Sequence, residues 1–327
     1  MDRKALKNLT HNAKDFLSVS KPDYKQWVFR YTFLELDKDL SPNGDITSDA
    51  VLPEDVIIPG VIYAQEDGVL AGIEELKYFL VDSDPRFKPK VSELQVAFFK
   101  KDGDYIKAGE KICEIIGKAQ DVLAVERVSL NLLMRMSGVA TKTAEFVSLL
   151  DKAGSDILLT PTRKTLWGLL DKKAVVVGGG GTHRLNLSDA VLIKDNHLKI
   201  LGGSVSKALK GLVGKASGAR FIEIEVENKE DAVKAAEDLN SLLSPGGITS
   251  PACIMLDNFT PEMIDETLGL IKEKGLFDNI LFEASGGINK ENLAKYAKTG
   301  IDIISMSEIT MNAKPLSFHL EIGEMPR

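Results

Sequence analysis

Thr162-Arg163-Lys164-Thr165, Gly178-Gly179-Gly180-Gly181-Thr182-His183-Arg184 and Leu192-Ile193-Lys194-Asp195-Asn196-His197 decide how this 327-residue chain is read. The apolar runs 157–159, 174–177 and 190–193 separate these three cationic clusters. Short β-branched runs bounded by Gly, Pro or charge are the pattern of buried parallel strands. A cation just past each strand end puts all three clusters on one rim of a sheet or barrel, where α/β folds hold their ligands. Planar guanidinium forks suit carboxylates and phosphates alike, so the expected ligand is strongly anionic.

Toward the C-terminus the alternation continues. Strands are expected over 221–226, 253–256, 280–284 and 301–305, and helices over 230–242, 261–274 and 290–298. Repeated βα units predict a parallel sheet covered on both faces, and seven strands favour a barrel. Glu223, Glu225 and Glu227 share one face because strand side chains alternate. They form either an inward carboxylate row that holds a metal or sugar hydroxyls, or a solvated edge. Asp257 ends the next strand in the same way. Ser285-Gly286-Gly287, ahead of a helix expected at Lys290, offers backbone N–H groups and a helix N-terminus to a phosphate. Residues 244–247 read as a surface insertion.

Working back toward the N-terminus, helical spacing runs through Leu123, Val125, Val128, Leu132 and Met136. That helix is expected to end near Ser137-Gly138, with a second over 140–153. Arg127, beside Glu126, reads on its own as a surface ion pair worth about 0–1 kcal/mol. Residues 56–76 and 91–116 are β-rich, with hairpin-like turns at Glu66-Asp67-Gly68 and Lys101-Asp102-Gly103-Asp104. Biotin and lipoate carriers use a similar Gly-Asp turn, but no modifiable Lys stands at a second hairpin tip, so an accessory sheet is expected. Asn43-Gly44-Asp45-Ile46-Thr47 predicts a turn into a strand, 27–36 a helix, and the lysine-rich residues 1–21 a short helix or a mobile surface arm, with the arm favoured.

Composition limits the function. A net charge of −7 argues against a nucleic-acid binder and makes local cation clusters more telling. Cys113 and Cys253 stand far apart without metal-ligand spacing, which fits a reducing cytoplasm rather than a disulfide or zinc site. Neither an 18-residue apolar run nor a secretory pattern is present, so a cytoplasmic protein is expected.

Ten motifs in order carry a resemblance: Gly44–Thr47, Glu126–Asn131, Ser137–Thr141, Thr162–Thr165, Gly178–Gly180, His183-Arg184, Leu192–His197, Glu223–Glu225, Leu256–Phe259 and Ser285–Ile288. Together they resemble the quinolinate phosphoribosyltransferase family from about Trp27 onward. The resemblance implies a type II phosphoribosyltransferase-like α/β fold. An α/β sandwich domain (1–127 with 312–327) would accompany an incomplete, seven-stranded α/β barrel (128–311). It implies transfer from phosphoribosyl pyrophosphate to quinolinate, giving nicotinate mononucleotide, CO2 and pyrophosphate, with Mg2+. Arg163, His183 and Arg184 with Lys194 would grip the quinolinate carboxylates, helped by Thr162. Lys164 would meet donor phosphates, and Glu225 and Asp257 would bind ribose hydroxyls or Mg2+. Ser285, Gly286, Gly287 and Ser307 would surround the 5′-phosphate. Arg127 would reach into a neighbouring subunit's site, implying at least a homodimer.

The chain departs from the family pattern in Leu166-Trp167-Gly168-Leu169, which is shorter and lacks an Arg, and in Ser307, where Gly is usual. Alternatives are a phosphoribosyltransferase for nicotinate or another acidic heterocycle, a molybdenum-transport-linked homologue, a Schiff-base aldolase using Lys194, and a non-catalytic metabolite binder. The intact Lys194–His197 segment argues against the molybdenum-linked group, and Glu225 with Asp257 against the mere binder.

Overall fold

The computed structural model describes residues 2–82, 94–216, 218–244 and 247–323. The chain begins with α1 (Arg3–His11), α2 (Pro22–Tyr31), α3 (Phe33–Leu40), α4 (Ile46–Val51), β1 (Ile57–Ala64), β2 (Gly68–Val69), α5 (Ile73–Leu80), β3 (Gln95–Phe98), β4 (Tyr105–Ile106) and β5 (Lys111–Lys118). The long α6 (Ala119–Lys152) leads to β6 (Leu158–Pro161), α7 (Leu169–Val177), β7 (Val191–Ile193), α8 (Asp195–Ile200), α9 (Val205–Lys210) and β8 (Ile222–Val226). Last come α10 (Lys229–Leu242), β9 (Ala252–Asp257), α11 (Pro261–Glu273), β10 (Ile280–Ser285), α12 (Leu293–Tyr296), β11 (Ile303–Met306), α13 (Glu308–Met311) and β12 (Phe318–Ile322). Two compact units result: 1–13 with 145–164 and 180–308, and 14–144 with 165–179 and 309–327. Residues 1–13 therefore belong with the parallel strands and 165–179 with the antiparallel ones, a division that no single cut near residue 127 reproduces.

The first unit holds six parallel strands in the order β6-β11-β10-β9-β8-β7. Six stand where seven were expected, because the run 174–177 is the end of α7. A valine triplet does not distinguish a short strand from a buried helical turn. Along β8 to β11 nearly every position is buried, as expected of strands covered on both faces. Register places Glu225 opposite Met255, and Ser285 opposite Asp257, at the carboxyl ends of neighbouring strands.

The N-terminal segment is a helix, not a mobile arm. Asp2 caps α1 through Ala5 N–H at 2.7 Å, and Arg3, Lys7 and His11 recur every fourth residue along one face. Arg3 grips Asp302 and the carbonyls of Phe277 and Ile280, while Lys7 reaches Asp156 at 3.0 Å. These partners precede β11, β10 and β6, so α1 closes the amino ends of the strands. Its Leu6 packs on the interior cluster Cys253, Leu281, Ile303 and Leu158.

The second unit carries the antiparallel sheet β12-β1-β5-β3 and the small pair β2-β4. The C-terminal strand adds to β1, with Gly60 opposite Ile322 and Ala64 opposite Phe318. Four local expectations fail here. Asp45 caps α4 through the N–H groups of Thr47 and Ser48, so a helix begins where a strand was expected. Helical spacing over 27–36 is divided between α2 and α3. Residues 73–80 form α5 inside the supposedly β-rich region. Ser137-Gly138 does not end a helix, because α6 continues through it. A Cβ at Gly138 would lie 2.2 Å from the Lys314 carbonyl oxygen, so that glycine serves close packing. The insertion expected at 244–247, and the start of the β-rich stretch at 91, fall partly outside the described residues.

Candidate active site

Thr162, Arg163, Lys164, Lys194, Glu225, Asp257, Ser285 and Ser307 all stand at or just past the carboxyl ends of the six parallel strands. In parallel sheets this end is where ligands bind, because loops converge there without disturbing the ladder. His183 and Arg184 lie on the loop that leads into β7. Arg163, Lys164 and Lys194 are exposed, whereas His183 and Arg184 are buried. Arg127 lies in the second unit, exposed on α6. It lines a cavity of about 290 Å3 with Tyr31, Glu35, Asp39, Asn131 and Trp167.

Lys194 extends from the end of β7 with its Nζ 3.5 Å from Glu225 Oε2. The backbone N–H of Lys194 donates to His197 Nδ1 at 2.9 Å, which fixes the start of α8. His197 therefore shapes the Lys194–His197 segment, a role its sequence position does not announce. Glu225 is half-buried. Burial raises its pKa and Asp257 adds to the rise, while Lys194 opposes both. Two acids and one amine thus crowd the ends of β7, β8 and β9.

Arg184 is only partly satisfied. Its Nη1 reaches the Ala190 carbonyl at 3.4 Å, but its Nε is buried without a partner. Burial, then the like charge of Arg163, lowers its pKa. A buried guanidinium beside a second one is unfavourable unless an anion joins them.

His183 is turned inward. Its Nε2 lies 3.1 Å from Glu223 Oε2 and 3.4 Å from Glu283 Oε2. Burial alone would lower its proton affinity, yet Glu283 and Glu223 outweigh burial and raise its pKa to about 9. Against a second proton stands the Arg184 N–H, which donates to His183 Nδ1 at 2.7 Å. We therefore place the proton of His183 on Nε2. The residue adopts φ +51°, held by its own N–H and that of Thr182 on the His11 carbonyl and by the Arg220 guanidinium on its carbonyl. Strained backbone of this kind persists only where its surroundings over-determine it. The expected direct grip of His183 on a substrate carboxylate does not match this orientation.

Ser285-Gly286-Gly287 forms a tight turn with φ +85° and +64° at the two glycines. A Cβ on Gly286 would lie 2.2 Å from Asn258 Oδ1, and Asn258 N–H donates to the Ser285 carbonyl at 2.8 Å. The helix expected at Lys290 begins only at Leu293 and spans 4 residues. Any phosphate hold there rests on the glycine turn rather than on a helix dipole. The divergent 166–169 segment lies in the second unit. Its Leu166 and Trp167 N–H groups bind Asp171, which Arg135 holds, and Trp167 stacks on Tyr31 at 4.6 Å.

Two family models match the chain: the N-terminal domain of quinolinate phosphoribosyl transferase over residues 45–137, and its C-terminal domain over 139–321. The chain is a member of the quinolinate phosphoribosyltransferase family. Among relatives, a probable carboxylating nicotinate-nucleotide pyrophosphorylase of Methanothermobacter thermautotrophicus is 37% identical over 280 residues, covering 85% of this chain and 93% of the relative. A chloroplastic carboxylating nicotinate-nucleotide pyrophosphorylase of Arabidopsis thaliana is 35% identical over 295 residues, covering 88% and 81%. Among solved structures, NadC from Streptococcus pyogenes superposes with a TM-score of 0.75 at 32% identity, covering 90% of this chain and 97% of that one. Residues 1–44, with the whole of α1, precede the part matched by the quinolinate phosphoribosyltransferase models.

Proposed function

We propose that this chain is a decarboxylating quinolinate phosphoribosyltransferase of NAD biosynthesis. It joins the pyridine nitrogen of quinolinate to the ribose of phosphoribosyl pyrophosphate, releasing pyrophosphate and CO2 and leaving nicotinate mononucleotide. Besides family membership, the observation that carries this reading is Arg184: a buried, partly unpartnered guanidinium against the charge of Arg163, with Lys194 at a neighbouring strand end. A pyridine dicarboxylate would place two negative charges against these cations.

Arg163, Arg184 and Lys194, with Thr162, hold the two carboxylates and aim the ring nitrogen at the ribose C1. His183 supports the loop that carries Arg184. Lys164 and the turn Ser285-Gly286-Gly287, with Ser307 beside it, meet the donor's phosphates. As the bond to pyrophosphate breaks and the N–C1 bond forms, positive charge builds on the ribose. Glu225 and Asp257 stabilise it electrostatically. Alkylated nitrogen then draws in the electron pair of the C2–carboxylate bond, CO2 leaves, and C2 takes a proton. Positioning and fixed charge account for this chemistry, and no activated nucleophile is required.

The acid pair Glu225 and Asp257, both hard oxygen donors and both half-buried, fits Mg2+. When bound, that ion would supply charge neutralisation for the departing pyrophosphate. Arg127 of one copy completes the site of another in a homodimer, and the protein works in the cytoplasm; no helix among the described residues is long and apolar enough to cross a membrane. The deciding assay measures CO2 and nicotinate mononucleotide from quinolinate plus phosphoribosyl pyrophosphate, with nicotinate as competing acceptor. Turnover of nicotinate without turnover of quinolinate would overturn the assignment.

A further inference from the structure

Beneath the mouth lies a second polar cluster that the reaction does not use in full. Glu223 sits on the same face of β8 as Glu225 but one layer deeper, and Glu283 lies on β10. His11, from the end of α1, meets both, and all three side chains are fully buried. His11 Nε2, both oxygens of Glu223 and both oxygens of Glu283 have no hydrogen-bond partner. One ligand atom from each of these residues and from His183 falls within 4.8 Å of all the others.

Hydrogen bonding fixes which nitrogen of His11 is available. Thr10 Oγ1 donates to the Leu6 carbonyl at 2.8 Å and lies 2.8 Å from His11 Nδ1, so it accepts the Nδ1 proton. With a proton on Nδ1, His11 turns its Nε2 toward the two carboxylates. His183 offers only an Nε2–H, because its Nδ1 already accepts from Arg184. Two buried carboxylates and a lone pair converging on one point repel unless a cation occupies it.

The His11–Glu283 distance points the same way. His11 Nε2 is 3.4 Å from Glu283 Oε2 and 3.9 Å from Glu223 Oε1. Charge-assisted hydrogen bonds between such groups close to about 2.7–2.9 Å. Ligands about 2.0–2.2 Å from a shared ion, near the tetrahedral angle, stand roughly 3.3–3.6 Å apart. We propose that His11, Glu223 and Glu283 bind one divalent transition-metal ion of the Zn2+ class, with His183 Nε2–H steadying the carboxylates. One dication balances two carboxylates, and the Thr10 contact is the kind of outer partner that orients a metal-bound imidazole. His11 precedes the residues that the family models match, whereas His183, Glu223 and Glu283 lie within them.

The test uses the full-length protein, purified without chelator or polyhistidine tag. Elemental analysis should find one Zn2+-class ion per chain. After chelator stripping, Co2+ should give the visible absorption of a four- or five-coordinate ion, and Zn2+ should raise the melting temperature. His11→Asn and Glu283→Gln, altering the cluster from opposite sides, should each lose at least tenfold in metal affinity. Glu225→Gln, at the mouth, should keep the interior ion. A metal-free wild type with no Co2+ absorption and no Zn2+-dependent melting shift would overturn the proposal, leaving protons to balance the cluster. Undiminished binding in both interior variants, or loss in Glu225→Gln alone, would overturn it equally.

Discussion

Arg184 and Arg163 face the same problem at the scale of single residues: each charge makes the other less favourable until an anion bridges them. Arg163→Ala removes one arm of that bridge. Arg163 is exposed in the free protein, but bound quinolinate would cover it. Loss of one partner of a charge pair so desolvated costs about 2–5 kcal/mol, so kcat/KM for quinolinate should fall roughly thirtyfold or more. Steady-state kinetics at fixed phosphoribosyl pyrophosphate check this, and an unchanged value would remove Arg163 from the site. Glu75, in the other unit, sets a pH dependence of stability. Burial raises its pKa from the ordinary 4.5 to about 8; the nearby Asp102 adds to the rise, and the Tyr24 hydroxyl, donating at 2.5 Å, only partly offsets it. The folded state keeps this proton up to about pH 8, whereas the unfolded chain releases it near 4.5. Its contribution is therefore full below pH 4.5 and lost as pH climbs through 8, a change on the order of a few kcal/mol. Glu75→Gln should flatten that part of the stability profile in urea titrations run from pH 5 to 9.

Gly138 makes the test at the scale of an element. In an exposed helix, Gly→Ala adds about 1 kcal/mol of stability. Here the new methyl would meet the Lys314 carbonyl at 2.2 Å, within van der Waals radii, so Gly138→Ala should destabilise by about 1–3 kcal/mol. A raised urea midpoint would show that the contact yields. The same glycine shows where sequence became ambiguous. Ser137-Gly138 looks like a helix stop because the contact that requires glycine comes from residue 314, far along the chain. The valines of α7 misled for a related reason, since burial makes strand and helix equally apolar. Strand ends were legible because both signals there are local: a β-branched run, then a cation or acid. Thr162–Lys164, Lys194, Glu225, Asp257 and Ser285 could all be placed on that basis. The α1 helix was not legible, because its buried face is Arg3, Lys7 and His11, residues whose type signals surface until their partners Asp302, Asp156 and Glu283 are known.

For the whole molecule, the proposed homodimer makes one copy's site depend on Arg127 of another. Arg127 is exposed on α6 and shares its cavity with Glu35 and Asp39. A homodimer with shared sites makes a particular demand on mixtures. Arg127→Ala and Lys194→Ala should each be nearly inactive, yet subunit exchange between them should rebuild up to one intact site per mixed dimer. Recovery of about a quarter of wild-type activity is the ceiling for random pairing, since half the dimers are mixed and each carries one good site of two. No recovery in dimers proven to exchange would place Arg127 outside its neighbour's chemistry.

The stride of Arg3, Lys7 and His11 under the strands also bears on how the protein should be handled. A version trimmed to begin at residue 45, where the match to the family models starts, would strip α1 from beneath the strands and wet Leu158, Cys253, Leu281 and Ile303. Such a fragment should clump or melt early even though every residue at the catalytic mouth remains, so an inactive short form would say nothing about the chemistry above.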